Sequence, residues 1–106
     1  MDCITPNNAN HDLNKMGEVK FWTHIIKDGL EKAMEGDFKQ MRKNWNWIFG
    51  RQDYINSFDS GCELIGVNPS NIKKKFLQQF LLNMKQDNLD QQRIWNRYKT
   101  KVRSYL

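Results

Sequence analysis

Residues able to do covalent or metal chemistry are few in this 106-residue chain and poorly arranged for it. The two histidines, His11 and His24, have no cysteine or carboxylate neighbours at the spacing a zinc site requires. Cys3 and Cys62 stand far apart and outside any motif, which fits a reducing cytoplasm better than a disulfide scaffold. There is no glycine-rich phosphate cradle, no G-x-S-x-G elbow, and no pair of carboxylates whose spacing marks acid–base work. His24 falls on a predicted helix and reads as a surface or boundary residue, and Cys62 as a packed thiol. The expectation is a non-enzymatic chain with no catalytic residue, no metal and no cofactor.

The chemistry these residues can do is attraction of phosphate or of carboxylate surfaces. Net charge is +5 and unevenly spread. Residues 1–68 carry eight Lys/Arg against ten Asp/Glu, whereas residues 69–106 carry nine basic groups and only Asp87 and Asp90. Such polarity points to a polyanion or an acidic protein face as partner. Within the basic part, Lys74 and Lys75 can meet phosphates. Asn71 and Gln78 have the donor–acceptor pair that matches an adenine edge, with Ser70 beside them. Further on, Arg93, Arg97 and Lys101 recur every four residues, a row able to lie along a phosphate backbone, and arginine suits bidentate phosphate contact. Trp95 and Tyr98 can stack on bases, but their spacing fits core packing better.

Positioning these groups falls to helices. Apolar residues Val19, Trp22, Ile26, Leu30 and Ala33 recur at spacings of 3 and 4, with Phe21 and Ile25 widening the stripe. They predict a helix from an Asn14 cap near Met16 to a stop at Gly36. Asp37 with Gln40 caps a second helix, whose face is Phe38, Met41, Trp45 and Ile48 and which Gly50 closes. Lys39, Arg42 and Lys43 point away from that face, and 51–56 reads as a turn, with or without a short helical stretch. Ser57 caps a short third helix with Phe58, Cys62 and Ile65 inward. Gly66 ends it, Asn68 caps the next, and Pro69 takes its first position. Along that fourth helix Ile72, Phe76, Phe80 and Met84 form the apolar row, Asn71, Lys74, Lys75, Gln78 and Lys85 the opposite face, and Lys73 reaches outward along its stem. A last helix from Asn88 or Asp90 turns Trp95, Tyr98, Val102 and Tyr105 inward. No segment alternates with period two, so the fold class is all-α: a small bundle of four to five helices.

Residues 58–77 resemble the helix-turn-helix superfamily. The pattern asks for a small residue in the first helix (Cys62), a glycine in the turn (Gly66) and apolar residues at the crossing (Ile65, Val67, Ile72). Gly61 and Lys75 depart from it, standing where apolar residues are common. The longer block from Trp47-Ile48 through Phe58 and Cys62 to Gly66-Val67-Asn68-Pro69 is similar to that of short bacteriophage-encoded proteins. The resemblance implies that the fourth helix enters the DNA major groove, with Ser70, Asn71 and Gln78 reading bases and Lys74, Lys75, Arg93, Arg97 and Lys101 holding phosphates. It also implies a regulator or accessory factor in the host cytoplasm.

Size limits the rest. The chain is long enough for one core, expected over 15–106, behind a mobile leader over 1–14 that contains Pro6 and no periodic apolar pattern. The longest apolar run near the core, Phe80-Leu81-Leu82, is far too short for a membrane span, and no signal-peptide pattern opens the chain. Double-stranded DNA is the expected partner, with a homodimer as a way to multiply a modest affinity through two half-sites. Two other readings stay open: an inhibitor or adaptor that binds an acidic face of a host protein, and a small packaging-type subunit that forms rings.

Overall fold

A computed structural model describes the backbone from Ile4 and the side chains from Met16 to Leu106. Five α-helices and a short 3-10 turn follow one another: α1 (Ile4–Met34), α2 (Phe38–Phe49), α3 (Phe58–Ile65), α4 (Pro69–Asn83), α5 (Leu89–Tyr98) and η1 (Arg103–Tyr105). The described residues contain no strand, and the fold is all-α. The leader expected over 1–14 falls outside the residues described in full. The backbone of α1 is already helical at Ile4, ahead of the start predicted near Met16, and Pro6 lies in the first turn, where its missing N–H is no loss.

The helix ends obey local chemistry. Asp37 Oδ1 accepts from Gln40 N at 2.8 Å, Ser57 Oγ from Ser60 N at 3.1 Å, Asn68 Oδ1 from Ser70 N at 2.9 Å and Asn88 Oδ1 from Gln91 N at 3.1 Å. Each satisfies an amide that the first turn leaves without a carbonyl. Gly66 closes α3 in the left-handed conformation, φ 83°. Its N–H donates to Glu63 O, and the Val67 N–H reaches back to Cys62 O at 2.9 Å, the paired bonds of a Schellman stop.

Trp45 organises the core. It is fully buried, its indole N–H donates to Ala33 O at 2.9 Å, and its ring meets Phe49, Phe76, Phe80 and Tyr98 at centroid distances of 4.9–5.4 Å. One side chain thereby joins α1, α2, α4 and α5. Met41, Ile48, Phe58, Cys62, Leu77, Ile94 and Val102 are buried around it. Two glycines let helices touch. A Cβ on Gly61 of α3 would stand 2.4 Å from Trp22 of α1, and one on Gly29 of α1 would stand 2.8 Å from Trp47 of α2. The glycine that departs from the helix-turn-helix pattern at 61 is therefore the seat of an indole ring.

Four expectations need correction. Phe21 and Ile25 do not join the core stripe of α1: they are 61% and 37% exposed, because α2 and α3 cover only the Trp22–Ile26–Ala33 side. Lys73 does not reach outward. It turns in, 4% exposed, because Asp59 on α3 supplies a counter-ion at 2.8 Å. The last helix stops at Tyr98, and the chain tightens into i, i+3 bonds (Arg103 N to Thr100 O, Tyr105 N to Val102 O), which bring Tyr105 against Phe49 and the Lys73 ammonium. Lys101 consequently sits on a turn and not in a helical row with Arg93 and Arg97. The inward side of α5 is Gln91, Ile94 and Tyr98, with Trp95 only half-buried at its margin.

Candidate nucleic-acid interface

The link between α3 and α4 consists of Gly66, Val67 and Asn68, and its placement is fixed from both ends. On the α3 side, Gln52 Nε2 donates to Trp47 O, Ile48 O and Gly50 O at 2.8–3.1 Å, while its Oε1 accepts from Asp59 N at 3.0 Å. One amide thus clamps the end of α2 to the start of α3. On the α4 side, the Lys73 Nζ–Asp59 Oδ1 pair binds the second turn of α4 to the first of α3, with Phe58 and Tyr105 rings 5.9 and 5.5 Å from the ammonium. Asp59 Oδ1 receives no other donor, so Lys73 is its sole compensation among the described residues. The sequence gives no hint of this pair beyond the charges themselves, since Asp59 and Lys73 belong to different helices.

Phe76, Leu77 and Phe80 anchor α4 in the core and leave Ser70, Asn71, Lys74, Lys75 and Gln78 exposed. Asn71, Lys74 and Gln78 form a flank at one-turn spacing, and no ion pair or side-chain hydrogen bond engages them among the described residues. Lys75 differs. It lines a groove between α1 and α4 together with Leu30, Met34, Ile72 and Phe76, and Glu31 of α1 and Glu35 just past its end lie along the same groove. Of the three consecutive lysines, Lys73 is neutralised, Lys75 faces acidic company, and Lys74 alone projects free of both.

The other predicted phosphate contacts lie on a separate part of the bundle. Arg93 is exposed, 4.0 Å from Asp90 and stacked with its guanidinium carbon 4.0 Å above the Phe38 ring of α2. Arg97 is exposed beside Tyr98, whose hydroxyl donates to Asn46 Oδ1 of α2. Lys101 is exposed on its turn. α5 therefore runs alongside α2, whereas α4 packs on α3 and η1.

Titration adds one contrast. Burial pushes the Cys62 thiol up to about 11, with Asp59 and Glu63 adding to the shift and Lys73 opposing it. A thiol held protonated in this way is a packing group and a poor nucleophile at neutral pH.

Among the described residues, no three His, Cys, Asp or Glu side chains converge as a metal site, and no helix is long and apolar enough to cross a membrane. No protein-family model, curated protein or solved structure matches the chain.

Proposed function

We propose that this chain is a small, non-enzymatic DNA-binding protein that meets duplex DNA through α4, in a regulatory or accessory role. The observation that carries the reading is the unobstructed Asn71–Lys74–Gln78 flank on a helix whose first two turns are pinned by the Asn68 cap and the Lys73–Asp59 pair. A rigid helix with amides and an ammonium on its open side has the groups that base edges and phosphates require. Lys74 supplies a phosphate contact, Ser70, Asn71 and Gln78 the base-facing groups, and Lys75 and Lys101 longer-range attraction. Fluorescence anisotropy with a labelled duplex, titrated at several salt concentrations, tests the reading. Log affinity is expected to fall by about 0.9 per decade of salt for each phosphate neutralised. The double variant N71A/Q78A is expected to bind all duplexes with nearly equal affinity. Affinity insensitive to salt rejects the proposal.

A second reading, a protein-interaction module, is favoured by one observation. Phe21 and Ile25 on α1 and Tyr54 and Ile55 in the α2–α3 loop are all exposed, and Ile25 and Tyr54 line one cavity. Apolar side chains gathered in this way mark contact surfaces more often than solvated ones. A one-to-one complex with an acidic protein that survives nuclease and is lost in I25S/Y54S distinguishes this reading from the first.

A further inference from the structure

Two contacts fix how α2 and α5 pass each other. Arg93 lies over Phe38, and the Tyr98 hydroxyl bonds to Asn46, so the helices run in the same direction. Residues 38, 42 and 46 are one turn apart on α2, and Arg93 and Arg97 one turn apart on α5. Arg42 consequently comes between Phe38 and Asn46 on the strip that faces Arg97. Burial pushes the Tyr98 hydroxyl up, and the positive charges of Arg97 chiefly and Arg42 to a lesser degree oppose it. Among the described residues neither Arg42 nor Arg97 has a carboxylate partner. Of the acids near the strip, Asp90 is 4.0 Å from Arg93, Asp37 is engaged as the cap of α2, and Asp28, which lines a cavity with Asn46, pairs with Lys32.

Cations of like sign held side by side repel, and a fold tolerates them at a cost unless an anion joins them. The surrounding groups are organised for such an anion. Phe38 holds the face of the Arg93 guanidinium and leaves its N–H edges free. Tyr98 engages the Asn46 carbonyl oxygen, which leaves the amide Nδ2 without a partner among the described residues. Arg42, Arg97 and Asn46 Nδ2 then present donors only, the set that a phosphate with its acceptor-only oxygens can satisfy bidentately.

We infer that Arg42, Arg97 and Asn46, flanked by Arg93, form a phosphate-binding site on the α2–α5 strip. The site stands apart from the α4 reading, because a phosphate can bind here whether or not α4 meets DNA. The phosphate can belong to a nucleic-acid backbone or to a small free phosphate compound. Bases are not read at this strip, so binding there is indifferent to sequence.

The test uses the full chain with two probes, pyrophosphate by calorimetry and a labelled short duplex by anisotropy, and two variants, R42A/R97A and K74A/Q78A. All four substituted side chains are exposed, and circular dichroism checks that the variants stay folded. R42A/R97A is expected to weaken binding of at least one probe by about tenfold, the scale of losing one charge-assisted hydrogen bond. Weakening of the duplex alone assigns the site to backbone phosphates, and weakening of pyrophosphate alone assigns it to small phosphate compounds. K74A/Q78A is expected to keep pyrophosphate binding intact. If R42A/R97A binds both probes as the unaltered chain does, or if the unaltered chain binds neither, the site is refuted. An unchanged duplex affinity in K74A/Q78A counts only against the α4 reading.

Discussion

Lys73 Nζ stands 2.8 Å from Asp59 Oδ1, tying the second turn of α4 to the first turn of α3. The Lys73 side chain is 5% exposed and that of Asp59 30%, so water can relieve only the acid. Removing one partner leaves the other charge in a poorly solvated place. Full burial makes such a loss worth about 3–5 kcal/mol, and the open side of Asp59 reduces it to about 2 kcal/mol. Lys73→Met should therefore destabilise the fold by about 2 kcal/mol in urea denaturation. Adding Asp59→Asn should recover much of that loss. A double variant no more stable than Lys73→Met would show that the pair contributes nothing as a pair.

The glycines at helix contacts lead to a steric prediction. A methyl group on Gly61 would meet the Trp22 ring at 2.4 Å, and one on Gly29 the Trp47 ring at 2.8 Å. Helix propensity favours alanine over glycine by about 1 kcal/mol, and overpacking costs about 1–3 kcal/mol. Overpacking wins where a broad ring has to shift. Gly61→Ala is expected to lower stability in the native background and to raise it when Trp22 is already alanine. Thermal denaturation of the four proteins of this cycle reads the change of sign.

Elements that depend on neighbours in the chain were legible before any contact was known. The caps at Asp37, Ser57, Asn68 and Asn88 and the left-handed stop at Gly66 follow from residue type and position. The exposed flank of α4 follows from periodicity in the same way. What escaped depends on partners distant in sequence. Lys73 turns inward because α3 brings Asp59 to it, and α5 stops at Tyr98 because Tyr105 has to reach Phe49. Arg42 looks like one more solvated charge of α2 until the Phe38–Arg93 and Asn46–Tyr98 contacts place its turn of α2 along α5. Gln52 and Gln91 read as ordinary polar residues, yet the first bridges two helices and the second, 5% exposed, spans Met34 O and Lys85 N.

The buried Cys62 thiol imposes a pH dependence on stability. Its folded value of about 11 exceeds the ordinary 9.0, so the folded state holds the proton more tightly than the unfolded chain does. That contribution is fully present below the unfolded value and is lost as pH rises from the unfolded toward the folded value. The Tyr98 hydroxyl, raised by burial against the opposing Arg97 and Arg42, acts in the same sense at higher pH. The stability difference between the native chain and Cys62→Ala should therefore narrow above pH ~9, by about 1 kcal/mol or more at pH ~10.5. Urea midpoints at a series of pH values measure it. A difference that stays constant across that range would show that the thiol titrates alike in both states.

Lys74 and Lys75 are adjacent in sequence and unequal in surroundings, which separates their contributions to DNA binding. Lys74 stands on the open flank with Asn71 and Gln78, whereas Lys75 lines the α1–α4 groove with Glu31 and Glu35. An ammonium already attracted by carboxylates releases fewer counterions from DNA, because it has to exchange one anionic neighbour for another. Lys74→Ala should flatten the dependence of log affinity on log salt by about one unit, and Lys75→Ala by clearly less. The two groove acids also repel the phosphate backbone directly. Glu31→Gln/Glu35→Gln should therefore tighten duplex binding severalfold at low salt and restore to Lys75 the salt effect that Lys74 has alone in the native chain. Anisotropy titrations of these variants at matched ionic strengths decide the matter. Equal slopes for Lys74→Ala and Lys75→Ala would mean that the groove acids do not screen Lys75.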